Sequence, residues 1–177
     1  MRKLILDAYP PKLVYIGLGS NLGDPVRTLQ AAMSRLEERS LERPARSSIW
    51  ETTPVNCPPG STAFANAVIG LVPRLEETPE TLLRALQDCE REFGRMPKKI
   101  LNEARPLDLD ILMFGEARRS SAELILPHPR AHERRFVLQP LCEIAPDLVL
   151  PGQTLSVAEL LELLPPDPGM RRLQSGY

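Results

Sequence analysis

The chain has 177 residues, of which 25% are charged, and a formal net charge of −1. That length suits a single domain with a proper core, and the balanced charge excludes a whole-molecule field that would draw it to nucleic acid or membrane. No segment approaches the ~20 apolar residues of a membrane span, and the start "MRKLILDAYPPKL" is too short and too interrupted for a signal peptide.

In chain order, "KLVYIGLGSNLGDP" predicts a strand over roughly Lys12–Leu18 and then a glycine-rich turn. Asp24 is a good N-cap and Pro25 a good first helical residue. Val26, Leu29, Met33 and Leu36 recur at helical spacing on one face. "ARSSIWETT" predicts a second strand, the Pro/Gly-rich stretch Thr53–Thr62 a loop, and "AFANAVIGLV" a third strand. A second helix starts near Pro79 with Thr78 as cap, buries Leu82, Leu86, Cys89 and Phe93, and stops at Gly94. Loop 95–106 leads into "RPLDLDILMFG", which ends at Gly115, and a short hairpin returns through "AELILP". "RRFVLQPLCEIAP" predicts a short helix broken by Pro140, and "SVAE" a capping box opening a last helix along Leu160, Leu161 and Leu164.

Strand, helix, strand, strand, helix, strand is the ferredoxin-like βαββαβ order. The expected class is therefore α+β, an extended antiparallel sheet covered by helices. Residues 1–11 read as an N-terminal extension, 12–165 as one domain and 166–177 as a tail. Cys57, Cys89 and Cys142 are scattered without metal-ligand spacing and read as reduced thiols of a cytoplasmic protein.

Two aspartates stand out within the apolar run. Side chains alternate along a strand, so Asp108 and Asp110 point to one face with Cα atoms ~6.5–7 Å apart. Leu107, Leu109, Ile111 and Met113 then fill the opposite face as core. Adjacent carboxylates repel unless a cation lies between them, and a pair of Mg²⁺ ions ~3.5–4 Å apart meets that need. The plainer alternative is solvation at the strand start, or pairing with Arg105. Four apolar residues directly after Asp110 weigh against solvation. A phosphatase-type D-x-D instead follows its apolar run. The stretch before the pair carries Arg91, Arg95, Lys98, Lys99 and Arg105, cations placed to reach an anion on the metals.

Together these residues resemble the 6-hydroxymethyl-7,8-dihydropterin pyrophosphokinase family of folate biosynthesis. The resemblance runs from about Val14 to Pro151 through "YIGLGSNLGDP", "ETTPVN" with "FANAV", "RPLDLDILMFG", "LPHPRAHERRFVL" and "PLCEIAPDLVLP". It implies transfer of the β,γ-diphosphate of ATP to the pterin hydroxymethyl oxygen, with AMP released. It implies that Asp108 and Asp110 hold two Mg²⁺ ions, that Asp108 is a candidate base for the hydroxyl, and that Arg95 and Arg105 assist the transfer. Phe64 and Phe136 would stack the pterin, while Asn66, Thr53, Pro54 and Val55 would read its edge. Leu83, Gln87, Glu90, Lys98, Arg105, Ile111, His128 and Arg134 would serve ATP. Read without the family, Phe64, Ile111 and Leu83 fit a core, Gln87 and Glu90 a polar surface, and His128 a capped turn. Loop 95–106 departs from the pattern, with Asn102 for an aromatic residue, Leu101 where a cation is common and Pro97 where arginine is common.

The expected partners are ATP and the pterin, with a folate-pathway enzyme a further candidate and neither nucleic acid nor membrane among them. Two other readings compete: a two-metal nucleotidyl hydrolase or cyclase, which needs the carboxylates but no aromatic sandwich, and a ligand-binding regulatory module, which needs neither.

Overall fold

The structure, a computed structural model, describes residues 13–53, 62–96 and 104–174. The N-terminal extension, Pro54, Val55, Cys57, Pro97, Lys98, Leu101 and Asn102 lie outside the described residues.

Among the described residues, eight strands and four α-helices follow one another as β1 (Val14–Ser20), α1 (Pro25–Glu37), β2 (Ala45–Arg46), β3 (Ile49–Thr52), β4 (Phe64–Leu71), α2 (Pro79–Glu92), β5 (Asp108–Phe114), β6 (Arg119–Ser120), β7 (Ile125–Leu126), α3 (Arg135–Ile144), α4 (Val157–Leu163) and β8 (Arg171–Gln174). The main sheet has the order β5-β1-β4-β3-β8, with β2 also on β4, and its pairings are antiparallel. β5-β1-β4-β3 is the ferredoxin-like arrangement expected from the element order. β6 and β7 form the expected hairpin as a separate two-stranded sheet.

Local chemistry sets the helix starts. Asp24 accepts the Arg27 N–H at 3.1 Å ahead of Pro25. Thr78 caps α2 reciprocally with Thr81, and Ser156 caps α4 reciprocally with Glu159. Leu29, Ala32, Met33 and Leu36 of α1 and Leu82, Leu86 and Cys89 of α2 bury one sheet face with Val14, Ile16, Leu18, Ala67 and Ile69. On the other face α3 and α4 pack Val137, Leu138, Leu141, Val157 and Leu160 against Tyr15, Val68, Leu112 and Met113.

Four expectations need correction. Gly19 lies inside β1, which runs to Ser20, rather than in a turn after Leu18. The second strand divides at Ser47, whose hydroxyl accepts the Val68 N–H at 2.8 Å and donates to the Ser48 carbonyl at 2.8 Å. Met113 does not share a face with Leu109 and Ile111. A bulge leaves Leu112 unpaired between Ile16↔Ile111 and Tyr15↔Met113, turning Met113 toward the α3 side. Pro140 does not break α3, which continues to Ile144. The ring removes one donor to the Phe136 carbonyl, but Val137, Leu138, Pro140 and Leu141 are all buried, and that burial outweighs one missing bond. Residues 171–174, in the expected tail, form β8 on the edge of β3.

Candidate active site

The α3–α4 layer covers only part of its sheet face, and the remainder is floored by glycine. In β1 the residues Gly17 and Gly19 alternate with Ile16, Leu18 and Ser20, so the side facing away from α1 and α2 carries no side chains there. A Cβ at Gly19 would lie 3.3 Å from Asn66 Oδ1 and 3.9 Å from Asp108 Cβ, and one at Gly17 would lie 3.3 Å from Leu112 Cδ2. Any larger side chain would fill the trough between β4 and β5.

Asp108 and Asp110 stand along this trough, opposite Gly19 and Gly17. Asp108 is bracketed by two guanidinium groups, Arg95 on Oδ1 at 2.6 Å and Arg105 on Oδ2 at 2.9 Å. The anticipated cations are thus present as arginines, and pairing with Arg105 is realised. Asp110 is exposed to solvent and makes no ion pair among the described residues. Crowding by the surrounding protein raises its carboxyl above the usual range, and the Asp108 charge adds to that, opposed by Arg134, Arg105 and Arg95. The neighbouring Asp108 carboxylate repels that of Asp110. A bound cation would relieve that repulsion.

Glu90 sits beneath the pair. It is buried, accepts the Leu109 N–H at 2.7 Å on the free edge of β5, and pairs with Arg95 through the same oxygen. Burial pushes its carboxyl up to about 7 against the pull of the Leu109 amide and Arg95, with Asp108 and Asp110 adding to the rise. Its carboxylate anchors the β5 edge and orients Arg95. Its neighbour Gln87 is exposed, Leu83 is half-buried beside the core, and Ile111 belongs to the core.

After β7, the His128 N–H donates to the Leu112 carbonyl at 2.9 Å, which fixes this segment beside the β5 bulge. His128 Nδ1 accepts the Arg130 N–H at 3.1 Å, leaving Nε2 to carry the proton of the neutral ring. Burial, then Arg134 and Arg130, lower the imidazole to about 4, so it is neutral at pH 7. Arg134 is half-buried, and its guanidinium lies 5.4 Å from the centre of the Phe136 ring. Arg135 between them turns away and donates to the Leu161, Leu164 and Pro165 carbonyls at 3.0, 2.7 and 2.7 Å, tying α3 to the end of α4.

At the far side of the trough, Asn66 pairs with Trp50 and Phe64 with Thr52 in the β3–β4 register. The buried Asn66 amide donates to Thr52 Oγ1 at 2.7 Å, which fixes the direction of its Oδ1. Phe64 is half-buried, and Thr53 is exposed just past β3.

Asp108, Asp110, Arg95, Arg105 and Glu90 therefore form one cluster at the β5 edge. Arg134 acts on it electrostatically and His128 feels the Asp108 charge, while Asn66 and Phe64 lie across the glycine floor. The sequence reading passed over Asn21. Its Oδ1 accepts the Arg105 N–H at 2.9 Å, its N–H donates to the Arg105 carbonyl at 3.2 Å, and its carbonyl accepts the Thr62 hydroxyl at 2.8 Å. It also passed over Thr52 and the glycine floor. The alternation of glycine with apolar residues in "YIGLGS" was the available signal.

Among the described residues no three His, Cys, Asp or Glu side chains cluster closely enough to hold a metal. A donor set of two carboxylates facing an open trough fits Mg²⁺, which takes few protein oxygens and completes its shell with water and phosphate.

Residues 15–146 match the family described as 7,8-dihydro-6-hydroxymethylpterin-pyrophosphokinase (HPPK). The chain is 41% identical over 162 residues to the 2-amino-4-hydroxy-6-hydroxymethyldihydropteridine pyrophosphokinase of Pseudomonas aeruginosa, covering 90% of this chain and 96% of that one. It is 39% identical over 149 residues to the enzyme of that name from Haemophilus influenzae, covering 84% and 90%. It is 40% identical to the folic acid synthesis protein fol1 of Pneumocystis carinii over 84% of this chain, but spans only 20% of that protein. Among solved structures, a Plasmodium falciparum HPPK-DHPS triple mutant shares the fold with a TM-score of 0.67 at 13% identity, over 85% of this chain and 43% of that one. The chain belongs to the 7,8-dihydro-6-hydroxymethylpterin-pyrophosphokinase family.

Proposed function

We propose that this chain transfers the β,γ-diphosphate of ATP to the hydroxymethyl oxygen of 6-hydroxymethyl-7,8-dihydropterin, releasing AMP, as a step of folate biosynthesis. The observation that carries the reading is the Asp108–Asp110 pair on the glycine-floored trough, with arginines at one side and Asn66 and Phe64 at the other. Family membership over residues 15–146 supports it.

Asp108 and Asp110 would hold two Mg²⁺ ions. Bound there, the ions would supply charge neutralisation for the triphosphate and polarise the transferred group. The rest falls to the chain's own side chains. Arg95 and Arg105 exchange the Asp108 carboxylate for phosphate oxygens, which are equally good bidentate acceptors. Arg134 adds positive charge on the Asp110 side, and Lys98 is assigned to the phosphates with it. The neutral His128 ring donates from Nε2 without adding charge, matching a phosphate oxygen or ribose hydroxyl. Glu90 serves ATP through Arg95, while Leu83, Gln87 and Ile111 border the nucleotide. The pterin stacks between Phe64 and Phe136, and the Asn66 amide together with Thr53, Pro54 and Val55 reads its edge. Phosphoryl-type transfer depends mainly on positioning and charge stabilisation, and these residues supply both.

The free thiols Cys89 and Cys142 fit a reducing, cytoplasmic setting. Relatives named as bifunctional folate synthesis proteins make another enzyme of that pathway the class of partner to look for.

The test is an end-point assay with ATP, Mg²⁺ and the pterin alcohol. AMP should appear one for one with pterin diphosphate and only when the pterin is present. AMP, inorganic phosphate or cyclic nucleotide formed without pterin would contradict the proposal.

A further inference from the structure

The segment after α4 folds back onto the pterin side of the sheet. Asp167 Oδ1 accepts the Gly169 N–H at 2.9 Å, and the Asp167 carbonyl accepts the Met170 N–H at 3.0 Å, closing a tight turn before β8. The same carboxylate accepts the Thr53 hydroxyl, at 3.3 Å to Oδ1 and 3.2 Å to Oδ2. Gly169 packs against that threonine so closely that a Cβ on it would lie 2.4 Å from Thr53 Cγ2. Only glycine fits there without displacing Thr53.

β8 then fastens β3 from both faces. Arg171 pairs with Glu51 at 2.6 Å on one side of the sheet. On the other, Arg172 lies 5.1 Å from the Trp50 ring centre and pairs with Glu143 of α3 at 2.9 Å. The second Glu143 oxygen accepts the Ser48 N–H at 2.7 Å. The strand that presents Thr52 to Asn66 is thus held along its length, and Thr53 is held from the side. Asp167, Gly169, Arg171 and Arg172 all lie beyond residue 146, where the family match stops.

We propose that the turn 167–170 is a positioning device for the pterin end of the site, with Asp167 and Gly169 fixing Thr53. The inference rests on the reading of Thr53 and Asn66 as pterin-recognition residues. Asp167 and Gly169 act through Thr53 and have no part in binding ATP, whose residues gather at the opposite edge of the sheet. Their loss therefore weakens pterin binding and leaves nucleotide binding alone.

The experiment measures affinity for 6-hydroxymethyl-7,8-dihydropterin by its fluorescence, with Mg²⁺ and a non-hydrolysable ATP analogue present, and affinity for the analogue separately. Wild type, Asp167→Ala, Asp167→Asn and Gly169→Ala are compared well below their melting temperatures. Asp167→Ala and Gly169→Ala should each weaken pterin binding about five-fold, the loss of one positioned hydrogen bond. Nucleotide affinity should not move, and Asp167→Asn, which keeps an acceptor oxygen, should restore pterin binding. Unchanged pterin affinity in Asp167→Ala, or an equal loss of nucleotide affinity, overturns the inference and leaves the proposed reaction standing. Wild-type protein that binds no pterin overturns the reading of Thr53 and Asn66, and the inference with it.

Discussion

On the α1–α2 side of the sheet, Val14, Ile16 and Leu18 of β1 meet two helices and are almost fully withdrawn from water. On the other side of the same strand, Gly17 and Gly19 meet nothing larger than the edges of Asn66, Asp108 and Leu112. Seven residues thus serve two ends through the period of a strand: one set of positions is spent on stability, and the alternate set is emptied to make room for a ligand. β5 repeats the division, with Leu109 and Ile111 packed and Asp108 and Asp110 facing the trough. Substitutions on the two faces should therefore separate activity from stability.

The largest effect belongs to the open face. Asp110→Ala should lower kcat/KM on the order of 10³-fold, the several kcal/mol of charge stabilisation expected of a metal-holding carboxylate. Its melting temperature should hold or rise, because the substitution removes the repulsion between Asp110 and Asp108. A melting temperature that fell with activity would break the division between the faces. The mirror experiment is Leu29→Ala on the packed face, where a fully buried side chain is removed. Urea unfolding should show a loss of about 3 kcal/mol, with turnover per folded molecule unchanged.

His128 sharpens the comparison through pH. Its folded pKa is lowered to about 4 from 6.5, so as pH falls the unfolded chain takes up this proton first. The stability it contributes is complete above about pH 6.5 and is lost as pH drops through 4, by at most about 3 kcal/mol and less where solvent reaches the ring. Urea titrations at pH 7 and pH 4.5 should show a shallower acid loss in His128→Gln than in wild type. An identical loss in both would place the ring in water rather than against Arg134. The smallest effect is Asp24→Ala, which removes the cap of α1, a helix of the packed face. It should lower stability by about 1 kcal/mol and leave KM for both substrates unchanged.

What was legible in the sequence was local. Asp24-Pro25, Thr78-Pro79 and Ser156 with Glu159 announce helix starts because a cap depends on residues three positions apart. The aspartate pair was legible because two carboxylates in an apolar run conflict with burial. Long-range pairing was not legible. The bulge at Leu112, the division at Ser47 and the addition of β8 each depend on a partner strand elsewhere in the chain. Glu90 shows how this bears on the site. Its i, i+3 relation to Gln87 reads as a polar helix face, yet the unpaired Leu109 N–H at the sheet edge draws it into the interior. Asp167 went unread for the same reason, since its partner Thr53 is distant in sequence.

The central claim is that the paired carboxylates on the open face hold divalent cations together with a triphosphate. Mn²⁺ titration followed by electron paramagnetic resonance, with a non-hydrolysable ATP analogue present, tests it most directly. Wild-type protein should bind two Mn²⁺ ions per chain, close enough to couple, and Asp110→Ala should lose that coupled pair. A coupled pair that persists in Asp110→Ala, or that never forms in the wild type, would contradict the account.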